Sequence, residues 1–246
     1  FYKLNQLQLY IEHSFEYMNH PDIWQGSDPL SHQDILELDE YCSDRFVELV
    51  PSFSTFGHFY TAICSPRKSH LNELNVDASQ KNFSFWDRMQ HYTLDCSNPE
   101  SLKLVEEIIM ETAPLFKSKY YNICCDETFD LGHGKNAKKA KLQGKTRLYV
   151  DFLKKLMNIV EKAGKIPMFW GDIILEAPEM LRELPSNAVA LNWDYSPDCS
   201  QRDCKPFTDS GLKFYVCTGT HGWNRFLNNI ESASSNIINF AKKGLK

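Results

Sequence analysis

Six short apolar runs, separated by segments of helical periodicity, recur along the whole 246-residue chain and constrain its fold more than any other feature. They are Leu7–Ile11, Phe46–Val50, Tyr120–Cys125, Ile166–Trp170, Ala188–Asn192 and Lys213–Cys217. Each has strand length and β-branched or aromatic character, and most lack strict polar–apolar alternation. That is the pattern of strands covered on both faces.

The segments between them are punctuated as helices. Ser31 is placed to cap a helix with Ile35, Leu38 and Cys42 on one face, and Asp34 stands at the reciprocal capping position. Asn98-Pro99 is an N-cap followed by proline at the first helical position, ahead of a stripe of Leu102, Val105, Ile108 and Ile109. One long helix is expected over about 138–163, with Leu148, Phe152, Leu156, Ile159 and Val160 on its apolar face and Gly164 as its stop. A shorter helix should come after Pro178, and a last one should run from near Asn229 through Ile230, Ala233, Ile237 and Phe240 to Gly244. No repeat, linker or change of composition divides the chain, so residues 1–246 read as a single domain built on a parallel sheet wrapped by helices.

The residues just beyond each strand separate a doubly wound sheet from a (β/α)8 barrel. The first strand is followed by Glu12 and His13, the second by Pro51-Ser-Phe-Ser-Thr-Phe-Gly-His58 and the third by Asp126-Glu127. The later strands end in Trp170-Gly-Asp172, Trp193-Asp194-Tyr195 and Thr218-Gly-Thr-His-Gly-Trp223. Acidic and aromatic groups at every C-terminal strand end belong to a barrel mouth, whereas an open sheet uses one or two such ends. No glycine-rich phosphate loop follows any strand. The fold class is therefore α/β, a TIM (β/α)8 barrel, partial in this chain with about six βα units.

Carboxylates and three tryptophans at such a mouth suit a sugar, because indole faces stack on pyranose C–H surfaces while carboxylates move protons and bind hydroxyls. Ordinary glycosidases place two carboxyls ~5 Å or more apart on different strands. Neighbours on one strand should diverge to opposite faces. Asp126-Glu127 therefore suggests divided labour, in which one carboxyl donates a proton while the other orients a nucleophile belonging to the substrate.

The sequence here resembles glycoside hydrolase family 20, the β-N-acetylhexosaminidases. Asn5-Gln-Leu-Gln-Leu-Tyr-Ile-Glu12 resembles that family's second barrel strand, and Pro29–Ile35 with Phe46–His58 its third unit, which ends in Pro-Gly-His or Phe-Gly-His. Asn98-Pro-Glu and Tyr121-Asn-Ile-Cys-Cys-Asp-Glu-Thr128 resemble the fourth, with its Gly-Gly-Asp-Glu signature, and the three Trp-bearing segments come after it in order. The resemblance implies removal of terminal β-linked N-acetylhexosamine by substrate-assisted retaining catalysis through an oxazolinium intermediate. Glu127 would be the acid and then the base, and Asp126 would hold the acetamido N–H. Trp170 and Trp193 would wall the acetamido pocket, His58 would sit in a supporting polar shell, and Tyr195 would donate to the acetamido oxygen, one strand earlier than the family's usual tyrosine. Glu12, Asp172 and Trp223 complete the candidate sugar contacts.

Three departures from the family pattern bear on substrate choice. Glu12-His13 replaces an aspartate-rich stretch, Ser52-Phe-Ser-Thr55 lacks the third-strand aspartate, and Cys124-Cys125 replaces Gly-Gly. The six strands match the second to seventh of the barrel, so the first strand and the eighth are expected in a parent chain. Six strands cannot close eight, and two open edges are an aggregation liability. The 246-residue piece alone is expected to be inactive or poorly soluble, and robust turnover of a chromogenic N-acetylglucosaminide by it would overturn that.

Other readings carry less. A catalytically silent sugar-binding relative and a barrel hydrolase for a lacto-N-biose-type disaccharide are the alternatives. A metal-dependent amidohydrolase built on His13, His58 and His221 lacks the His-x-His spacing such sites use, and no metal or cofactor is expected. The net charge of −5 gives no reason to expect nucleic acid, and the basic run from Lys135 to Arg147 reads as a solvated helix start. No apolar stretch reaches the ~20 residues that span a bilayer. Eight cysteines without C-x-x-C spacing, Cys199 and Cys204 being the nearest to a loop pair, read as reduced thiols of an intracellular protein. The opening Phe1-Tyr2-Lys3-Leu4 has neither a signal-peptide layout nor an initiator Met, so location is not read from it; the thiols slightly favour the cytoplasm, with secreted and lysosomal locations as alternatives.

Overall fold

A computed structural model of the chain describes residues 3–78, 92–223 and 225–245. They form two compact units, Phe1–Pro167 and Met168–Lys246. Strands β1 (Gln6–Ile11), β2 (Glu48–Phe53) and β3 (Tyr120–Asn122) lie side by side and parallel in the first unit. Strands β4 (Ile166–Trp170), which enters the second unit at Met168, β5 (Val189–Trp193) and β6 (Lys213–Cys217) do the same in the second. Chain-order parallel strands joined by helices are the βα units of a partial (β/α)8 barrel. Among the described residues no helix is long and apolar enough to cross a membrane.

In the first unit Gln6 pairs with Glu48 and the register continues to Ile11 opposite Phe53, so β1 and β2 finish level. β3 meets β2 at Ser52 and Asn122. One face of this sheet is polar: the Asn122 amide donates to Ser52 Oγ (2.9 Å) and to Gln8 Oε1 (3.2 Å). The other face is aromatic. Phe53 lies 5.7 Å from Phe15 and 5.9 Å from Tyr121, and the Tyr121 hydroxyl meets Thr112 Oγ1 of the helix Pro99–Thr112 at 2.7 Å. Ile108, Ile109, Leu153, Leu156 and Met157 are almost fully buried behind it. Each such side chain contributes roughly 1.5–3 kcal/mol relative to exposure.

The caps form as the residue types dictate. Ser31 and Asp34 make the complete reciprocal box at the start of His32–Ser43, and Asn98 accepts from the Glu100 amide. The long helix expected over 138–163 is instead two, Ala137–Gln143 and Lys145–Lys162. It breaks at Gly144 (φ +90°), where a left-handed backbone interrupts the ladder. The segment after Pro178 is a 3₁₀ turn, Pro178–Glu183, not an α-helix. Asn229 does cap Ile230–Gly244, but Ile230 and Ile237 of the expected stripe are exposed, while Ala233, Asn236 and Phe240 are buried. All eight cysteines are free thiols. Cys199 and Cys204 pack with Phe240 in a small apolar cluster.

Candidate active site

The third strand stops three residues before the acidic pair, and the reason is visible in the backbone. Cys124, Cys125 and Glu127 adopt φ of +58°, +68° and +49°, the left-handed region that non-glycine residues avoid. This corrects the expectation of a strand reaching Cys125, and with it the expectation that successive carboxylates diverge. One oxygen each from Asp126 and Glu127, and one nitrogen of His58, all lie within 4.8 Å of one another. His58 Nε2 is 3.4 Å from Asp126 Oδ2 and 3.4 Å from Glu127 Oε2.

Left-handed residues in series persist only where neighbours hold them. Thr55 donates to the Ile123 carbonyl, Asn122 Oδ1 accepts from the Cys124 amide (2.9 Å), and the Tyr149 hydroxyl donates to the Cys125 carbonyl (3.0 Å). Gly57 fits against this turn because it has no side chain. A Cβ there would lie 2.3 Å from the Asp126 carbonyl oxygen. The loop beyond is held by Glu73, a fully buried carboxylate that accepts from the amides of Gly132 (3.1 Å) and Asn136 (3.0 Å). Asn136 in turn donates from its side chain to Glu73 and to Asp95 (2.7 Å).

His58 joins the three strand ends of this unit. It lies beyond β2 in a left-handed conformation (φ +58°), and its Nδ1 lies 3.2 Å from Glu12 Oε1, just beyond β1. Tyr10, on the same face of β1 as Glu12, donates to that oxygen at 2.9 Å. His13 and Tyr60 meet nearby, Nδ1 to hydroxyl, at 3.2 Å. Burial disfavours the His58 cation, but hydrogen bonds to Asp126, Glu12 and Glu127 outweigh it and push its pKa up to about 12. Burial likewise opposes the Glu12 carboxylate, yet hydrogen bonds and charge from His58, with the Tyr60 and Tyr10 hydroxyls, bring its pKa down to about 2. His58 is thus a cation with carboxylates at both nitrogens. A divalent ion at His58, Asp126 and Glu127 would need that imidazole neutral, against the pull of three acids.

The candidate residues of the second unit are aromatic. The rings of Trp193 and Tyr195 stack at 4.9 Å, Tyr195 meets Trp223 at 4.6 Å, and His221 stacks on Trp223 at 5.5 Å. The Arg202 guanidinium lies 4.4 Å over the Trp193 ring. Asp194, fully buried, organises the loop after β5 by accepting from the amides of Ser196 (2.8 Å), Gln201 (2.9 Å) and Arg202 (2.9 Å). Asn236 ties that loop to the one after β6, donating to the Asp194 and Ser196 carbonyls and accepting from Gly219. Asp172 is buried at the end of β4, and the indole N–H of Trp170 is buried without an acceptor among the described residues.

The structure thus brings Glu12, His58, Asp126 and Glu127 together in the first unit, and Trp193, Tyr195 and Trp223 in the second. Sequence reasoning placed Gly57 in the Phe-Gly-His58 ending and Asp194 at a strand end without giving either a role, and it missed Tyr10, Glu73, Tyr149 and Arg202. Of those four, only Tyr10, two residues before Glu12 on a strand, carried a signal that could have found it.

Comparison with known proteins agrees with this picture. The family model described as glycosyl hydrolase family 20, catalytic domain, matches residues 2–228. Hexosaminidase D of Bos taurus is 23% identical over 203 residues, 79% of this chain and 55% of the relative. Hexosaminidase D of Homo sapiens is 24% identical, over 79% and 39%. The chain therefore spans about half, or less, of the length of these curated relatives. Among solved structures, a chitobiase of Flavobacterium johnsoniae superposes with a TM-score of 0.67 at 22% identity, over 87% of this chain and 33% of that one. A β-N-acetylhexosaminidase of Bacteroides fragilis gives 0.69 at 18%, over 92% and 46%. At these identities the superpositions speak for the shared fold. The match over residues 2–228 covers nearly the whole chain, which belongs to glycosyl hydrolase family 20.

Proposed function

We propose that this chain is the catalytic part of a β-N-acetylhexosaminidase that removes terminal β-linked N-acetylhexosamine with retention, the substrate's own acetamido group acting as nucleophile. The observation that carries this reading is the shared imidazole. Asp126 and Glu127 are both 3.4 Å from one nitrogen of His58, so they approach a substrate from the same side. Two carboxylates from adjacent residues that meet at one imidazole lie together on one side of a glycosidic bond, and the resemblance to the family's Asp-Glu pair favours split roles over a conventional acid and nucleophile. They can divide the task.

In this reading Glu127 protonates the leaving oxygen and then, as carboxylate, takes a proton from the attacking water. Asp126 accepts a hydrogen bond from the acetamido N–H, which turns the carbonyl oxygen toward the anomeric carbon and offsets the positive charge of the oxazolinium. His58, held cationic by its hydrogen bonds to Asp126, Glu12 and Glu127, lies against both acids and offsets their repulsion. Trp170, Trp193, Asp172, Tyr195 and Trp223 are the proposed sugar contacts of the second unit, and an N-acetylated amino-sugar glycan or glycoconjugate is the proposed substrate.

The test is hydrolysis by the full-length protein, with Glu127→Gln beside it. Removing the proton donor should cost ~10²–10⁴-fold on a glycoside with a poor leaving group, and much less on a nitrophenyl glycoside. Binding of the amino sugar without any cleavage by the wild-type protein would replace this reading with that of a sugar-binding relative.

A further inference from the structure

Tyr149 stands outside the acidic cluster, on the helix Lys145–Lys162, yet it touches both segments that build it. Its hydroxyl donates to the carbonyl of Cys125, the residue immediately before the acidic pair, at 3.0 Å. Its ring lies nearly parallel to that of Phe56, with centroids 5.8 Å apart and planes 20° from one another. Phe56 begins the Phe56-Gly57-His58 segment, in which Gly57 packs against the Asp126 carbonyl and His58 faces both carboxylates. Tyr149 and Phe56 are both fully buried.

The Cys125–Asp126 peptide is where support matters most. Cys124 and Cys125 hold left-handed backbones with φ of +58° and +68°, and Glu127 holds one at +49°. A residue with a Cβ returns from that region to the extended one unless something opposes it. Rotation about Cys125 would swing the Asp126 and Glu127 side chains as one piece, because both lie immediately beyond it. The Asn122 side chain fixes the amide of Cys124 and Thr55 fixes the carbonyl of Ile123, both in the Ile123–Cys124 peptide, two peptides earlier. Tyr149 is the side chain seen to grip the carbonyl next to Asp126.

We infer that Tyr149 is a positioning residue for the acidic pair. Its hydroxyl holds the Cys125–Asp126 peptide in the orientation that aims both carboxylates, and its ring keeps the His58 segment in register with them. The inference rests on the proposed hydrolase reading and assigns Tyr149 no contact with substrate.

Tyr149→Phe tests it, because the ring and its stacking stay while the hydroxyl goes. Tyr121→Phe is the matched control. It too removes one buried hydroxyl from the same unit, from a bond to Thr112 on the side of the sheet away from Glu12 and His58. In the full-length protein, steady-state hydrolysis of an aryl β-N-acetylhexosaminide and thermal unfolding are measured for wild type and both variants. Tyr149→Phe is expected to lower kcat roughly tenfold, within the ~10²-fold that a 1 Å misplacement can cost, with KM changed less than about twofold. Tyr121→Phe should lower the unfolding midpoint comparably and leave kcat near wild type. An unchanged kcat in Tyr149→Phe, or equal losses of kcat in the two variants, would overturn the positioning role while the functional reading stands. A wild-type protein that binds but never cleaves the glycoside would remove both.

Discussion

The first unit presents charge at its strand ends and the second presents rings, and the two are supported in different ways. Around His58 the supports act on the backbone that leads into the acidic pair: Thr55 and Asn122 grip the Ile123–Cys124 peptide, Tyr149 grips the Cys125–Asp126 peptide, and Gly57 lets two loops touch. Around Trp193 the supports act one level back. Asp194 and Asn236 shape the loops, and the rings then pack by their faces. The difference arises from how the interactions decay. A partly buried charge pair and a proton transfer change steeply over a few tenths of an ångström, whereas ring stacking tolerates sliding. Glycines in the two units give the sharpest contrast. A Cβ on Gly57 would meet backbone, the Asp126 carbonyl, at 2.3 Å, while one on Gly219 would meet the rings of Tyr195 and Trp223 at 2.6 and 2.8 Å.

The largest expected effect exploits that contrast. Gly57→Ala should lower kcat by about 10²-fold or more, because the clash can be relieved only by moving the peptide that carries Asp126. Gly219→Ala should act mainly on KM, since rings can rotate away. Steady-state kinetics on both variants of the full-length protein, with unfolding curves to confirm folding, decide the matter. If the two lose kcat equally, the distinction between a backbone-held and a ring-built region is lost.

Legibility in the sequence divides along the same line. Strand and cap positions were readable because they depend on local pattern: β4 and β6 begin and end where their apolar runs do, and Ser31, Asn98 and Asn229 cap as their side chains allow. The pair Asp126-Glu127 and the histidine after Phe-Gly were readable because they stand at strand ends. The unreadable features depend on non-local support. The residue types of Ile123-Cys-Cys-Asp-Glu127 do not announce three left-handed residues, since Cys has no preference for that region; only the family's Gly-Gly at the places of Cys124 and Cys125 hints at two of them. Glu73, which binds amides some sixty residues away, looks in sequence like any surface acid. The second strand was placed two to three residues early because Phe46 is apolar, yet it is almost wholly exposed and left-handed at φ +57°.

Acid sharpens the charged side of the comparison. The Glu12 carboxyl titrates at about 2 in the folded protein against about 4.5 when solvated, so its ionised form stabilises the fold. A depressed pKa of this kind contributes fully above pH 4.5 and is lost as pH falls through 2. His58 runs the other way. Its folded pKa of about 12 contributes fully below its ordinary value of 6.5 and is lost as pH rises toward 12. The pair therefore supports the first unit most between about pH 4.5 and 6.5. Glu12→Gln should remove about 2 kcal/mol of stability near neutral pH and flatten the acid limb between pH 4.5 and 2. Thermal unfolding against pH checks this. An acid limb as steep in Glu12→Gln as in wild type would mean that other carboxylates set it.

The smallest effect belongs to the rings. Trp193, the last residue of β5, is stacked by Tyr195 at 4.9 Å and covered by the Arg202 guanidinium at 4.4 Å, so its ring is held by its neighbours. If it offers a face or edge to the acetamido group in ground state and transition state alike, Trp193→Ala removes uniform binding worth about 1 kcal/mol. KM should then rise about fivefold with kcat little changed. A fall in kcat at constant KM would carry Trp193 across the division, from recognition into alignment of the reacting acetamido group. The same measurement on Trp223→Ala, whose ring is about half exposed and further along the stack, should show a smaller rise, because an exposed face loses less water on contact.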